Sequence, residues 1–114
     1  MIIQGDCLEV LDTLEENSFD GCITDPPYEI GFMGKTWDKT GISFNVEMRK
    51  KLYRVLKPGA NILVFGGSRS YHRVACAIED AGFEIRDCIC AWQASMYCTK
   101  LRTFIVKSWL NLHY

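Results

Sequence analysis

The residues best suited to chemistry in this chain of 114 residues are Asp25, Pro26, Pro27 and Tyr28, which follow the apolar run "GCIT". Proline fixes its own φ, has no N–H to donate, and restricts the residue before it. Asp25-Pro26-Pro27 is therefore a stiff corner that carries one carboxylate and free backbone carbonyls. It offers acceptors and no donors. Such a corner suits a substrate with an amino group. An exocyclic amine on a nucleobase is a poor nucleophile, because its lone pair is delocalised into the ring. A carboxylate and a carbonyl that accept its two hydrogens draw the nitrogen toward tetrahedral geometry and free that pair. Tyr28 can stack on the base, worth about 1–3 kcal/mol, and a base inside a duplex must first be flipped out. The competing reading is an ordinary strand-to-loop turn, which prolines favour.

These residues need elements to position them. Met1-Ile2-Ile3 reads as a short strand. Asp6 then caps a helix whose apolar positions Cys7, Leu8, Val10, Leu11 and Leu14 recur at helical spacing, with Glu9 completing an acidic capping box. "ENSFDG" breaks that helix, and "GCIT" is a buried strand running into Asp25. Residues 29 to 43 hold three glycines with little periodicity and read as a loop. A second helix runs from about Asn45 to Lys57 and presents Phe44, Met48, Leu52, Val55 and Leu56; "KPG" stops it. "NILVFGG" is a buried strand, and Gly66-Gly67 at its end suits a close backbone approach. Ser70 caps a third helix with an inner face of Tyr71, Val74, Ala75, Ile78 and Ala81, and Gly82 ends it. "FEIRDCICAW" reads as a further strand. Continuous apolar strands alternating with helices predict an α/β fold, with a mostly parallel sheet covered on both faces. In such sheets ligands sit beyond the carboxyl ends of the strands, where Asp25 lies.

Bulk properties set the bounds. One domain of this size buries roughly 65% of its unfolded surface. The net charge of −1 announces no global attraction to nucleic acid, although a neutral total can hide a local basic patch. The six cysteines, at 7, 22, 76, 88, 90 and 98, lie mostly in apolar segments and include no CxxC pair, so neither a disulfide framework nor a metal site is expected. No secretory leader or membrane-length run is visible, which points to a cytoplasmic protein. Residues 1–92 hold all 14 acidic residues and 10 basic ones, whereas residues 93–114 hold three basic residues and no acidic one.

The corner, the strand before it and the glycine-rich Trp-Asp loop after it resemble the catalytic region of the amino-methylating DNA methyltransferases. These transfer a methyl group from S-adenosylmethionine to adenine-N6 or cytosine-N4. "GFMGKTWD", "NVEMRKKLYRVLKPGANILVFGGSRSYHR" and "AIEDAGFEIRDCI" also resemble a phage and prophage branch of that family. Asp-Pro-Pro-Tyr is most similar to the adenine-N6 form. The resemblance covers about residues 1 to 92 and implies a partial, Rossmann-like three-layer methyltransferase fold with sheet order 3-2-1-4-5-7-6. It implies DNA as partner, a catalytic role for Asp25, Pro26, Pro27 and Tyr28, and contact between the cofactor and Asp6, Cys7 and Asp25. Asp6 has helix capping as its alternative. Lys35, Trp37 and Asp38 would lie on a lid over cofactor and base, with Lys35 near phosphate, against the reading of a mobile surface loop. Arg69, with Ser68, His72 and Arg73, would touch the DNA backbone, against that of a solvated helix start.

The family's Phe-x-Gly-x-Gly turn, which holds the methionine end of the cofactor, is not found in this sequence. That predicts a shortened methyltransferase half over 1–92 followed by a divergent tail over 93–114. Its alternatives are a remnant that associates without turnover, a cytosine-N4 enzyme, or a methylase of protein glutamine. With strand three at Met1-Ile3 and strand four at "GCIT", the edge beside Asp25 would be left unpaired. Rearrangement, self-association, a complementing second half, or the chain's own segment "TFIVKSWL" would then fill the gap.

Overall fold

The computed structural model describes residues 1–31, 34–67, 69–91 and 101–107. Helix α1 (Cys7–Thr13) is capped by Asp6, whose carboxylate accepts the Leu8 N–H at 2.8 Å. Asn17 then takes a left-handed conformation, which asparagine tolerates, and turns the chain into strand β1 (Phe19–Thr24). Two short 3-10 turns, Thr36–Lys39 and Ile42–Phe44, precede helix α2 (Val46–Val55). Strand β2 (Leu56–Gly67), helix α3 (Tyr71–Asp80), strand β3 (Glu84–Ala91) and strand β4 (Leu101–Lys107) complete the order.

The sheet order is β1-β2-β4-β3. β1 and β2 are parallel, and β4 runs antiparallel to both of its neighbours, so β1, β2 and β3 share one direction. This reproduces the 4-5-7-6 portion of the expected order. The segment around "TFIVKSWL" does not fill the gap beside Asp25: Leu101–Lys107 lies between β2 and β3 instead. A strand that directly follows β3 in the chain can pair with it antiparallel, whereas a parallel neighbour needs a crossover.

The core lies on one side of the sheet. Ala60, Ile62 and Val64 of β2 pack with Leu52 and Val55 of α2 and with Val74 and Ile78 of α3, and Leu11 and Leu14 close the α1 end. Burying each large aliphatic side chain contributes about 1.5–3 kcal/mol. The expected cover on both faces is absent among the described residues, because all three helices share this side. Successive right-handed crossovers that advance in one direction across a sheet put their helices on the same face. Ile23, pointing away from the helices, is 75% exposed.

Three local expectations need correction. Met1-Ile2-Ile3 forms no strand and is exposed, since a strand without a partner is unstable in water. Helix α2 stops at Val55, before the proline and glycine rather than at them, because Leu56 already has strand geometry. Lys57-Pro58-Gly59 then falls where the register between β1 and β2 slips, with Gly59 at φ +79°. Ser70 occupies the N-cap position of α3 without capping it.

Basic side chains of α2 tie α1 down. Arg54 donates to the Leu11 and Leu14 carbonyls at 2.7 and 3.0 Å, adding to the Leu14 N–H that the first already accepts. Lys51 bonds the Leu8 carbonyl and Asp12.

Candidate active site

β1 and β2 are in register from Cys22 opposite Ile62 to Thr24 opposite Val64, so both reach the same edge of the sheet. The chain leaves β1 directly into Asp25. A cleft of about 330 Å³ opens there, lined by Asp25, Pro26, Pro27, Tyr28, Ile30, Trp37 and Asp38. The four residues of the corner and the expected lid residue Trp37 are thus brought together. Asp25 is exposed, Pro26 buried and Tyr28 partly buried.

The Tyr28 ring rests against the end of β2. A Cβ built on Gly67 would sit 3.4 Å from the ring, so glycine leaves the aromatic face room to lie on the backbone. Burial first, then the charge of Asp25 and a hydrogen bond to its carboxylate, push the Tyr28 phenol up to about 12. The shift keeps the phenol beside Asp25 protonated far into the alkaline range.

The corner's backbone is held from three directions. The Ser43 hydroxyl donates to the Pro27 carbonyl, and the Ser70 hydroxyl donates to the Tyr28 carbonyl at 2.6 Å. The Asp38 carboxylate accepts the N–H groups of Glu29 and Ile30 at 3.0 and 3.2 Å. The sequence suggests a helix cap for Ser70 and an open loop for Asp38, and nothing in it marks Ser43. Serine before a helix has a local partner available, so no local pattern directs its hydroxyl to a carbonyl 42 residues away.

Other candidates lie apart from this cleft. Asp6 spends its carboxylate on capping α1. Cys7 lines a second, mostly apolar cavity of about 340 Å³, which backs onto Thr24, Pro26 and Pro27. Lys35 is exposed immediately before the 3-10 turn that carries Trp37. Arg69 joins His72 and Arg73 in a third cavity of about 290 Å³, which meets the cleft at Ile30; Arg73 also lies 5.9 Å from the centroid of the Phe44 ring. Ser68 falls outside the described residues.

Arg49 is an unforeseen feature of the support beneath the site. It is 0% exposed, and Nη2 donates to the Ser43 carbonyl at 3.3 Å. Its Nε and Nη1 have no partner among the described residues. Burial pulls its pKa below the usual value, with Cys22 and Cys7 acting weakly against that.

Comparison with known proteins bears on the fold and the family. A family described as DNA methylase matches residues 19–106. A protein of Escherichia coli (strain K12) described as a methylase, YubD, is 39% identical over 88 residues, which is 73% of this chain and 38% of that protein. The type II methyltransferase M.HpaI of Haemophilus parainfluenzae is 40% identical over 73 residues, 60% of this chain and 23% of that protein. The chain thus spans less than half the length of either relative. A solved DNA modification methylase of Thermus thermophilus, TTHA0409, superposes with a TM-score of 0.69 at 18% identity, covering 92% of this chain and 50% of that one. M1.HpyAVI, solved in complex with SAM, gives 0.65 at 17% identity, covering 94% and 54%. The fold is that of methyltransferases, and the chain belongs to the N6/N4 DNA methylase family.

Proposed function

We propose that the cleft holds the amino group of a DNA base, adenine-N6 foremost, for methylation with S-adenosylmethionine as donor. The observation that carries this reading is that a donor-poor corner and an aromatic ring line one cleft. Asp25 and the Pro26 carbonyl accept the two amine hydrogens and localise the nitrogen lone pair. Tyr28 stacks on the base, and Trp37, itself exposed, helps to line the cleft. Positioning and preorganised acceptors supply the rate, with no side chain required as nucleophile.

The cofactor, when bound, supplies an electrophilic methyl on a sulfonium. The residues present fit that cationic part: a carboxylate and two aromatic rings attract a cation. They do not fit its amino-acid end, because Pro26 and Pro27 have no N–H to offer and the family's glycine-rich turn is not in the sequence. Asp6 and Cys7 remain candidates for its adenosine; Cys7 lines a cavity that Pro26 and Pro27 also line. Lys35 and Arg69 are the candidates for phosphate.

Transfer of labelled methyl from S-adenosylmethionine to DNA tests the reading. The expected result is transfer by the chain, alone or mixed with a polypeptide carrying the rest of a related methylase. Loss on the order of 10²-fold or more is expected in Asp25→Ala. Full activity in that variant would sink the mechanism. A complementing segment or a second copy is proposed as the protein partner, since the outer edge of β1 has no neighbour among the described strands.

A further inference from the structure

We propose that Ser43 and Ser70, which occupy the Pro27 and Tyr28 carbonyls and leave that of Pro26 open, act together with Asp38, which holds the next two amides, as positioning residues that lock Tyr28 in place beside Asp25. This rests on the base-holding reading of the same cleft.

Three carbonyls follow one another at 26, 27 and 28. Ser43 occupies the second and Ser70 the third. The first accepts no hydrogen bond from the described residues, and it is the one adjoining the Asp25 carboxylate. An amine hydrogen-bonded to the Asp25 carboxylate would find the Pro26 carbonyl open and the next two already taken. Without the two serines, the Pro27 and Tyr28 carbonyls would be open as well.

The clamp is costly unless it is used. Asp38 is 1% exposed, Ser43 0% and Ser70 6%. Burying polar side chains destabilises a fold unless they are hydrogen-bonded. These three come from the first 3-10 turn, the second 3-10 turn and the start of α3, yet all reach the same short backbone stretch. Immediately after Tyr28 the backbone is also strained: Glu29 has φ +57°, a left-handed conformation rare for a side chain of this kind. Asp38 holds both amides that this turn exposes, those of Glu29 and Ile30. The Glu29 carboxylate in turn accepts from Thr40 Oγ1 at 3.3 Å and the Ser43 N–H at 3.5 Å. Strain of this kind persists where the surroundings over-determine it, and such places cluster at functional sites.

Two measurements on the chain test this. Amide hydrogen exchange reads the clamp directly, and quenching of 2-aminopurine in a single-stranded oligonucleotide reads stacking on Tyr28. In Asp38→Asn, exchange at Glu29 and Ile30 is expected to rise at least 10-fold while core amides such as Ile62 and Ile78 stay protected. Quenching is expected to fall at least 5-fold. Ser70→Ala, a milder change, is expected to weaken quenching in the same direction, and Ser70→Thr, which keeps the hydroxyl, to restore it. Unchanged exchange at Glu29 and Ile30 in Asp38→Asn overturns the proposal. So does faster exchange with quenching kept at the level of the unaltered chain. If the unaltered chain does not quench the probe, the base-holding reading fails, and the positioning role toward a base fails with it. The exchange result then shows separately whether the clamp exists as a structural device.

Discussion

Tyr28 is the residue on which environment acts most visibly. Its phenol is raised from the usual 10 to about 12, chiefly by burial. The neutral form is thus favoured in the folded chain, and this contribution to stability is complete below pH 10 and lost as pH rises through 12. A phenolate absorbance titration should show a step near pH 12 that Tyr28→Phe removes. Asp25→Asn should move that step only part of the way toward 10, since desolvation is the larger cause. Arg49 poses the opposite problem, a buried cation with two unpartnered nitrogens. Replacing buried charges with apolar side chains of similar volume is often neutral or stabilising. Arg49→Met should therefore leave the unfolding midpoint unchanged or raise it, while Arg49→Ala, which opens a cavity, should lower stability by about 2 kcal/mol or more.

Elements were legible in the sequence where a local pattern fixed them. Asp6 caps α1 and Asn45 caps α2, the latter by accepting the Met48 N–H at 2.9 Å. Gly82 ends α3 in a Schellman motif, with the Phe83 N–H on the Ile78 carbonyl and the Gly82 N–H on that of Glu79. Because Gly82 has φ +101°, Gly82→Ala should cost about 1–2 kcal/mol, checked by denaturant unfolding. Elements were illegible where pairing decided them. Met1-Ile3 has a strand-like sequence and no strand to join. Leu101–Lys107 has residues suited to filling the gap beside Asp25 and instead pairs between β2 and β3, because apolar strand residues state a propensity and not a partner. Within the site, Asp25 to Tyr28 stood out through the rigidity of two prolines. Ser43 did not, and Asp38 and Ser70 stood out only as a lid residue and a helix cap, since their actual partners are backbone atoms distant in sequence.

The whole molecule is a sheet with one helical side. The opposite face and the outer edge of β1 are uncovered among the described residues, and Ile23 sits on both. Open edges with apolar side chains recruit further strands. Ile23→Lys should leave monomer stability within about 0.5 kcal/mol while shifting sedimentation toward a smaller species if the edge pairs with a second copy. An unchanged distribution would place self-association elsewhere or exclude it.

The sequence by itself determined the chemistry of the corner, since prolines fix φ and withhold donors wherever they are placed. It also determined where the helices lie, through local periodicity and the caps Asp6, Asn45 and Gly82, although not the cap of α3 or the end of α2. Only the tertiary structure decided which backbone groups of the corner are taken. Ser43 and Ser70 take the Pro27 and Tyr28 carbonyls and Asp38 takes the Glu29 and Ile30 amides, and these three side chains come from distant segments that meet only once the chain has folded around the end of β2.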